Sequence, residues 1–250
     1  MAMLFRVLAT ESLKLKRTLA LWMVLLAPMV VVTLQTLIGY FGAANLARGG
    51  RDVWPQLATN GVGIWTLLMM PLFVTLETSL LAGLEHTDKN WKTLLALPAP
   101  RWTIYLAKLI VTIAMVWAAM AILAGGLIAT ATMLKYIQPV LKLGDMPMGL
   151  LLWPLLRVAV SCLLAVTIQH WVSLRWQSFT AAIGFGMTVM VMGFIAVNSA
   201  TWGRWFPWSM PIHAIRKAAT GEANLMLVAV AGAVVVAAVG CWEFSRREIS

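Results

Sequence analysis

Six long apolar runs dominate this sequence, and each is long enough to cross a lipid bilayer as a helix. They cover residues 19–41, 61–84, 102–133, 150–171, 179–197 and 224–244. A helical crossing needs roughly 20 apolar residues. Polar and apolar positions do not alternate within the runs, as they would in the strands of a membrane barrel. The sequence therefore predicts an all-α, polytopic membrane protein with six transmembrane helices in one domain.

The composition supports a membrane protein. Hydrophobic residues make up 61% of the chain and charged residues 11%, whereas soluble domains carry about 25% charged residues. The net charge of +10 does not indicate a nucleic-acid partner, because the basic residues cluster beside the apolar runs, where lipid headgroups favour them. Cys162 and Cys241 lie in different runs, so we expect two buried thiols and no disulfide.

The distribution of basic residues predicts the orientation of the chain. Eleven Lys and Arg residues fall on the side of the termini and seven on the opposite side, which favours cytoplasmic termini. Residues 3–17 are predicted to form an amphipathic helix in the plane of the interface, with Lys14 and Lys16 against the phosphates. Residues 199–222 contain three Trp residues and should lie on, or dip into, the outer interface.

A polar segment between the second and third runs is predicted to form a short amphipathic helix over residues 87–97. Asp88 can cap its start, and Pro98 ends it. Three apolar residues at helical spacing share one face: Trp91, Leu94 and Leu95. A helix of this kind either lies on lipid or docks into another protein, and the residues alone leave both interpretations open.

The sequence lacks the motifs of common enzyme classes. It has no HExxH, no G-x-S-x-G and no Walker loop. His86, His170 and His213 belong to three different segments, which does not favour a metal site. We therefore predict a protein without a catalytic site, a metal or a bound cofactor of its own.

Two ionisable residues fall well inside predicted spans, where such groups are costly and informative. Glu77 either lines a substrate path or pairs with a neighbouring helix, or else it extends to the interface or is a protonated group at a helix–helix contact. We expect Arg157 to extend to the outer headgroups, because Arg has the necessary reach. Small residues at four-residue spacing favour close helix packing, and Ala182 with Gly186 is the predicted face for self-association.

Three segments give the chain a resemblance to the permease subunits of type-2 ABC exporters. The first is Glu11 through Arg17, a Glu followed by basic residues before the first span. The second is Glu85 through Pro98, followed by Arg101 and Lys108. The third, Phe206 through Pro211, is similar to the permeases of lantibiotic and bacitracin-type self-protection exporters.

The resemblance implies a dimer of permeases in the bacterial inner membrane, each bound to a cytoplasmic ATPase subunit that holds ATP and Mg. The helix over residues 87–97 would be the coupling helix. Its implied ATPase contacts are the apolar anchors and their polar neighbours: Glu85, Asp88, Trp91, Lys92, Leu94 and Leu95.

The resemblance also places a translocation path between the two permeases, with Gln35, Thr75 and Glu77 as the candidates to face it. The implied function is ATP-driven export of an amphipathic compound, such as a peptide antibiotic, in self-protection. The alternative is a stand-alone secondary transporter or channel without an ATPase. Such a protein is expected to show more paired charges or broken helices within the membrane.

Overall fold

The structure, a computed structural model, describes residues 2–16, 18–47, 53–87, 100–141, 143, 148–176, 178–199, 201–216 and 222–246. These ranges contain no strand. Within them the α-helices are α1 (Ala2–Lys14), α2 (Leu19–Phe41), α3 (Ala43–Ala47), α4 (Trp54–Ile64), α5 (Met70–Thr87), α6 (Arg101–Ile137), α7 (Met148–Ser161), α8 (Leu163–Arg175), α9 (Phe179–Ala196), α10 (Met210–Ile215) and α11 (Glu222–Arg246). A π-helical turn (Trp65–Met69) joins α4 to α5, and a 3₁₀ turn (Pro139–Leu141) follows α6.

Five helical stretches in the described ranges are long and apolar enough to cross a membrane: α2, α4 through α5, α6, α9 and α11. The bent pair α7 and α8 makes a sixth if it is counted as one span. The outward sides of α2, α9 and α11 expose large apolar side chains, as surfaces that contact lipid do. The prediction of an all-α polytopic membrane protein is confirmed.

The fourth span is bent, although the sequence suggested one continuous helix over residues 150–171. α7 and α8 meet at an angle of 41°, with Cys162 between them. The hydroxyl of Ser161 donates to the carbonyl oxygens of Arg157, at 2.7 Å, and Val158, at 3.3 Å. Back-bonding of this kind is common where helices bend, and here it lies directly before the bend.

The second span begins at Trp54, earlier than the predicted residue 61, and contains the π-helical turn. Pro71 explains this turn, because its ring clashes with the carbonyl four residues earlier and it has no N–H to donate. The helix widens just before it, and the N–H of Met70 bonds to the carbonyl of Trp65, five residues back. A π-turn of this kind keeps the span continuous through the proline.

Glycines allow α2 and α6 to approach closely. A Cβ atom at Gly126 would overlap Val32, and one at Gly39 would overlap Leu134. Small residues at such contacts let the helix backbones pack tightly, which favours association inside a membrane. The α2–α6 pair lies in the main hydrophobic cluster of the described residues, together with α4, α5 and α7.

The Trp-rich connection between α9 and α11 turns back into the helix bundle. α10 packs against α7 and α11, and it also contacts the π-turn of the second span. Met210 and Ala214 are buried in a cluster with Leu164, close to the bend of the fourth span. Trp208 is buried as well, whereas Trp202 and Trp205 are exposed. The connection therefore reaches the middle of the bundle.

Candidate functional site

The predicted coupling helix lies largely outside the described residues. Asp88, Trp91, Lys92, Leu94 and Leu95 fall in the gap between residues 87 and 100, and the side chain of Glu85 also lies outside the described part. The structure places the two flanking helices, with α5 ending at Thr87 and α6 beginning at Arg101. The described side chains next to this segment therefore belong to the first turns of α6 and to the helices that pack on them.

A buried ion pair joins the N-terminal helix to α6, two turns after that segment. Nζ of Lys108 lies 2.6 Å from Oε2 of Glu11, and the two residues are only 3% and 7% exposed. Nζ of Lys14 lies 3.0 Å from the other carboxylate oxygen. Because the desolvated carboxylate depends on this cation, the pair holds α1 against the start of α6. The predicted interfacial helix is thus bound to the bundle by Glu11, and Lys14 contributes to that contact.

Glu11 and Lys108 belong to separate motifs of the sequence, and neither motif predicts that the two residues pair. The two residues are 97 positions apart, so no local spacing indicates the contact. The sequence does contain one indication of this pair. Glu11 and Lys108 each lie beside a long apolar run, and a buried charge requires a partner.

A second polar contact connects α6, α8 and α11 on the side of the bundle where α6 begins. The indole of Trp171 donates to Oε2 of Glu243 at 2.8 Å, and Arg175 pairs with the same carboxylate. Tyr105 packs edge-on against His170, with ring centroids 5.2 Å apart. The helices around the predicted docking segment are therefore joined by specific polar contacts as well as by apolar packing.

The three candidates for the translocation path are buried inside the single chain. Gln35 and Glu77 are 0% exposed and Thr75 is 1% exposed. Their side-chain polar atoms have no hydrogen-bond partner among the described residues. A path lined by these residues requires the helices around them to separate. Their role in the translocation path therefore stays a prediction about a conformation in which these helices are apart.

These three residues do not form one site in the structure. Thr75 and Glu77 are two positions apart, so they point to opposite sides of α5. Gln35 lies beside Gly61, which precedes Glu77 by 16 residues, or about 24 Å along a helix. Glu77 and Gln35 therefore lie at different depths of the bundle.

The small residues of α9 pack inside the chain, and their predicted role at a dimer interface stays a prediction. A Cβ atom at Gly186 would overlap the side chain of Thr75 on α5. The carbonyl of Ala182 accepts a hydrogen bond from Nε2 of Gln169 on α8 at 3.0 Å. Ala182 and Gly186 therefore both make close contacts within the chain.

Arg157 is also held within the chain, although we expected it to reach the headgroups. Its Nη1 donates to the carbonyl of Ala214 at 3.4 Å. Its guanidinium carbon lies 5.3 Å from the centroid of the Trp153 ring. The residue is half-buried and connects α7 to the returning segment that contains α10.

No group of three or more His, Cys, Asp or Glu residues in the described ranges is placed to hold a metal ion. Cys162 and Cys241 are free thiols, the first buried and the second half-buried.

The fold defines the class of protein: a helical protein that passes through the membrane several times, with charged pairs that join α1 to α6 and α8 to α11. A family model described as "ABC-2 family transporter protein" matches residues 7–194, well over half of the chain. The chain therefore belongs to the ABC-2 family of transporter proteins.

This membership makes the chain an ABC-type transmembrane subunit, and the family implies an ATPase partner and surrounding lipid. The match does not separate lantibiotic and bacitracin-type permeases from other members. No curated protein and no solved structure matches the chain.

Proposed function

We propose that this chain is the membrane subunit of an ATP-driven exporter. It moves an amphipathic compound, such as a peptide antibiotic, out of the membrane or the cytoplasm in self-protection. ATP and Mg bind to separate ATPase subunits, and this permease has no catalytic site of its own. The protein works as a pair of permeases in the bacterial inner membrane, with both termini in the cytoplasm.

The observation that supports this proposal most directly is the position of the segment over residues 87–97. It connects α5 to α6, the two long helices that lead from the proposed ATPase side into the membrane. The pair between Glu11 and Lys108 holds α1 beside the same end of α6. Force applied to the segment is therefore passed to α5, α6 and α1 together.

The apolar face of the coupling helix is large enough to anchor a partner. Burying the side chains of one Trp and two Leu is worth several kcal/mol, and buried aromatic anchors dominate the energy of most interfaces. We propose that Trp91, Leu94 and Leu95 insert into a groove of the ATPase. Glu85, Asp88 and Lys92 orient the helix at the rim of that groove.

The transport path forms when the two permeases move relative to each other. Gln35, Thr75 and Glu77 are inside the bundle, and we propose that they line the path after the helices separate. Ala182 and Gly186 are used within the chain, so the second permease contacts the exposed side of α9, which includes Met187 and Val191.

The double variant Trp91→Ala/Leu94→Ala is expected to lose the ATPase. Each truncation removes an interface anchor, and anchors of this kind typically cost more than 2 kcal/mol, so co-purification should fall by at least about tenfold. The measurement is the amount of ATPase subunit recovered with the tagged permease in mild detergent, together with ATP hydrolysis by the recovered material.

Lys89→Ala is the matched control, because Lys89 lies on the opposite side of the predicted helix and should leave the recovery unchanged. If the wild type recovers no nucleotide-binding subunit under these conditions, the exporter proposal fails and the chain should be tested as a stand-alone transporter. If the double variant recovers as much ATPase as the wild type, the coupling helix is not the docking site.

A further inference from the structure

Glu77 differs from the other acidic residues whose side chains the structure describes. Glu11 pairs with Lys108 and Lys14, and Glu243 pairs with Arg175 and accepts from an indole N–H. Glu77 is completely buried, yet neither of its oxygens has a hydrogen-bond partner in the described part of the chain. Buried polar groups are nearly always satisfied, so an exception requires a physical explanation.

The surroundings of Glu77 along the second span are apolar and aromatic. Phe73 precedes it by four residues and lies on the same side of α5, where side chains at this spacing are neighbours. The rings of Phe73 and Trp65 are in contact, with centroids 6.1 Å apart, and both residues are buried. The indole N–H of Trp65 also has no partner among the described residues. One side of the span therefore carries two aromatic rings and then a carboxyl group.

These groups suit an organic cation better than a metal ion. Ring faces attract ammonium, guanidinium and similar cations, and this attraction grows when water is excluded. A carboxylate supplies the opposite charge. Hard metal cations such as Ca²⁺ take six to eight oxygen ligands, whereas the neighbours of Glu77 on its side of the helix, Val74 and Leu81, belong to the hydrophobic cluster.

We propose that Trp65, Phe73 and Glu77 form a binding site for an organic cation on the inner side of the second span. The inference deepens and rests on the proposed export function, since it assigns a positive charge to the transported amphipathic compound. The site is closed in this structure, because all three side chains are buried. The cation enters when the second span moves away from its neighbours, and it then provides the charge partner that Glu77 lacks among the described residues.

The test uses two probes of the same shape and opposite charge, tetraphenylphosphonium and tetraphenylborate. Binding to the full-length chain in lipid nanodiscs is measured by equilibrium dialysis, with binding to empty nanodiscs subtracted. We expect protein-dependent binding of the phosphonium cation and none of the borate anion. Glu77→Gln, which preserves shape and removes the charge, should weaken cation binding by about tenfold or more. Phe73→Leu should weaken it by about threefold.

Ser79→Ala is the control on the same helix. Ser79 is also buried, and its hydroxyl has no hydrogen-bond partner among the described residues. It is two positions from Glu77 and so lies on another side of α5, and we expect less than a twofold change. Equal elution volume and melting temperature establish that the variants are folded. If Glu77→Gln fails to fold, Phe73→Leu and the comparison of the two ions in the wild type still decide whether the site binds an organic cation.

Three results would overturn the inference: no phosphonium binding above empty nanodiscs, equal binding of both ions, or unchanged binding in a folded Glu77→Gln variant. The outcome is separable from that of the exporter proposal. Glu77-dependent cation binding without a co-purifying ATPase would support the site and refute ATP coupling. A co-purifying ATPase together with charge-independent binding would support ATP coupling and refute the cation site.

Discussion

Lys108→Met is expected to lower the free energy of unfolding by about 3 kcal/mol, near the lower end of the range for a broken buried ion pair. The substitution leaves the carboxylate of Glu11 desolvated, and Lys14 compensates only partly because its side chain is 34% exposed. SDS-driven unfolding in mixed micelles, followed by Trp fluorescence, measures the effect. The same variant should release α1 from the bundle, seen as faster amide exchange in residues 3–14.

Lys14→Met provides the matched control for this prediction. It removes a cation from the same carboxylate at a partly exposed position, where a pair contributes less than about 1 kcal/mol. The double variant Glu11→Gln/Lys108→Met should recover part of the lost stability, since no unpaired charge remains buried. Equal effects of Lys108→Met and Lys14→Met would show that burial does not strengthen the contact.

Gly186→Val should destabilise the folded permease by about 1–3 kcal/mol or more, because the added carbon atoms overpack a tight helix contact. A Cβ at this position would lie 2.8 Å from Cβ of Thr75 and closer still to the rest of that side chain. Backbone atoms of α5 and α9 must therefore move apart. The unfolding assay described for Lys108 applies here, with size-exclusion chromatography to follow the oligomeric state.

Gly184→Val tests whether the effect comes from this contact. Gly184 lies in the same helix, but a Cβ there would meet no atom within 4 Å, so its replacement should change stability by less than about 0.5 kcal/mol. A Gly186→Val variant with normal stability and a shifted oligomeric state would contradict the intrachain role and favour the predicted dimer interface.

The apolar runs carried most of the information about the fold. A crossing helix needs about 20 apolar residues, and this requirement is local, so the sequence predicted an all-α membrane protein without knowledge of any contact. The bend at Cys162 interrupts a continuous apolar run. The apolar run itself does not show where the helix bends.

The contacts between helices were less predictable. The spacing of Ala182 and Gly186 correctly indicates a surface for close packing, but spacing does not distinguish a neighbour in the same chain from one in a second chain. Arg157 illustrates the same limit: its reach was evident, whereas its acceptor, the carbonyl of Ala214, lies in a connection that folds back into the bundle. Long-range topology decides these cases.

The length of α6 has a mechanical consequence. Its 37 residues extend over about 55 Å, while the hydrocarbon layer is about 30 Å thick. The helix is therefore a lever arm that projects well beyond the bilayer core. A rigid rod of this length that tilts by about 5° displaces one end by about 5 Å relative to the other. If the helix pivots near Arg101, a rotation of about 5° there moves the far end by about 5 Å.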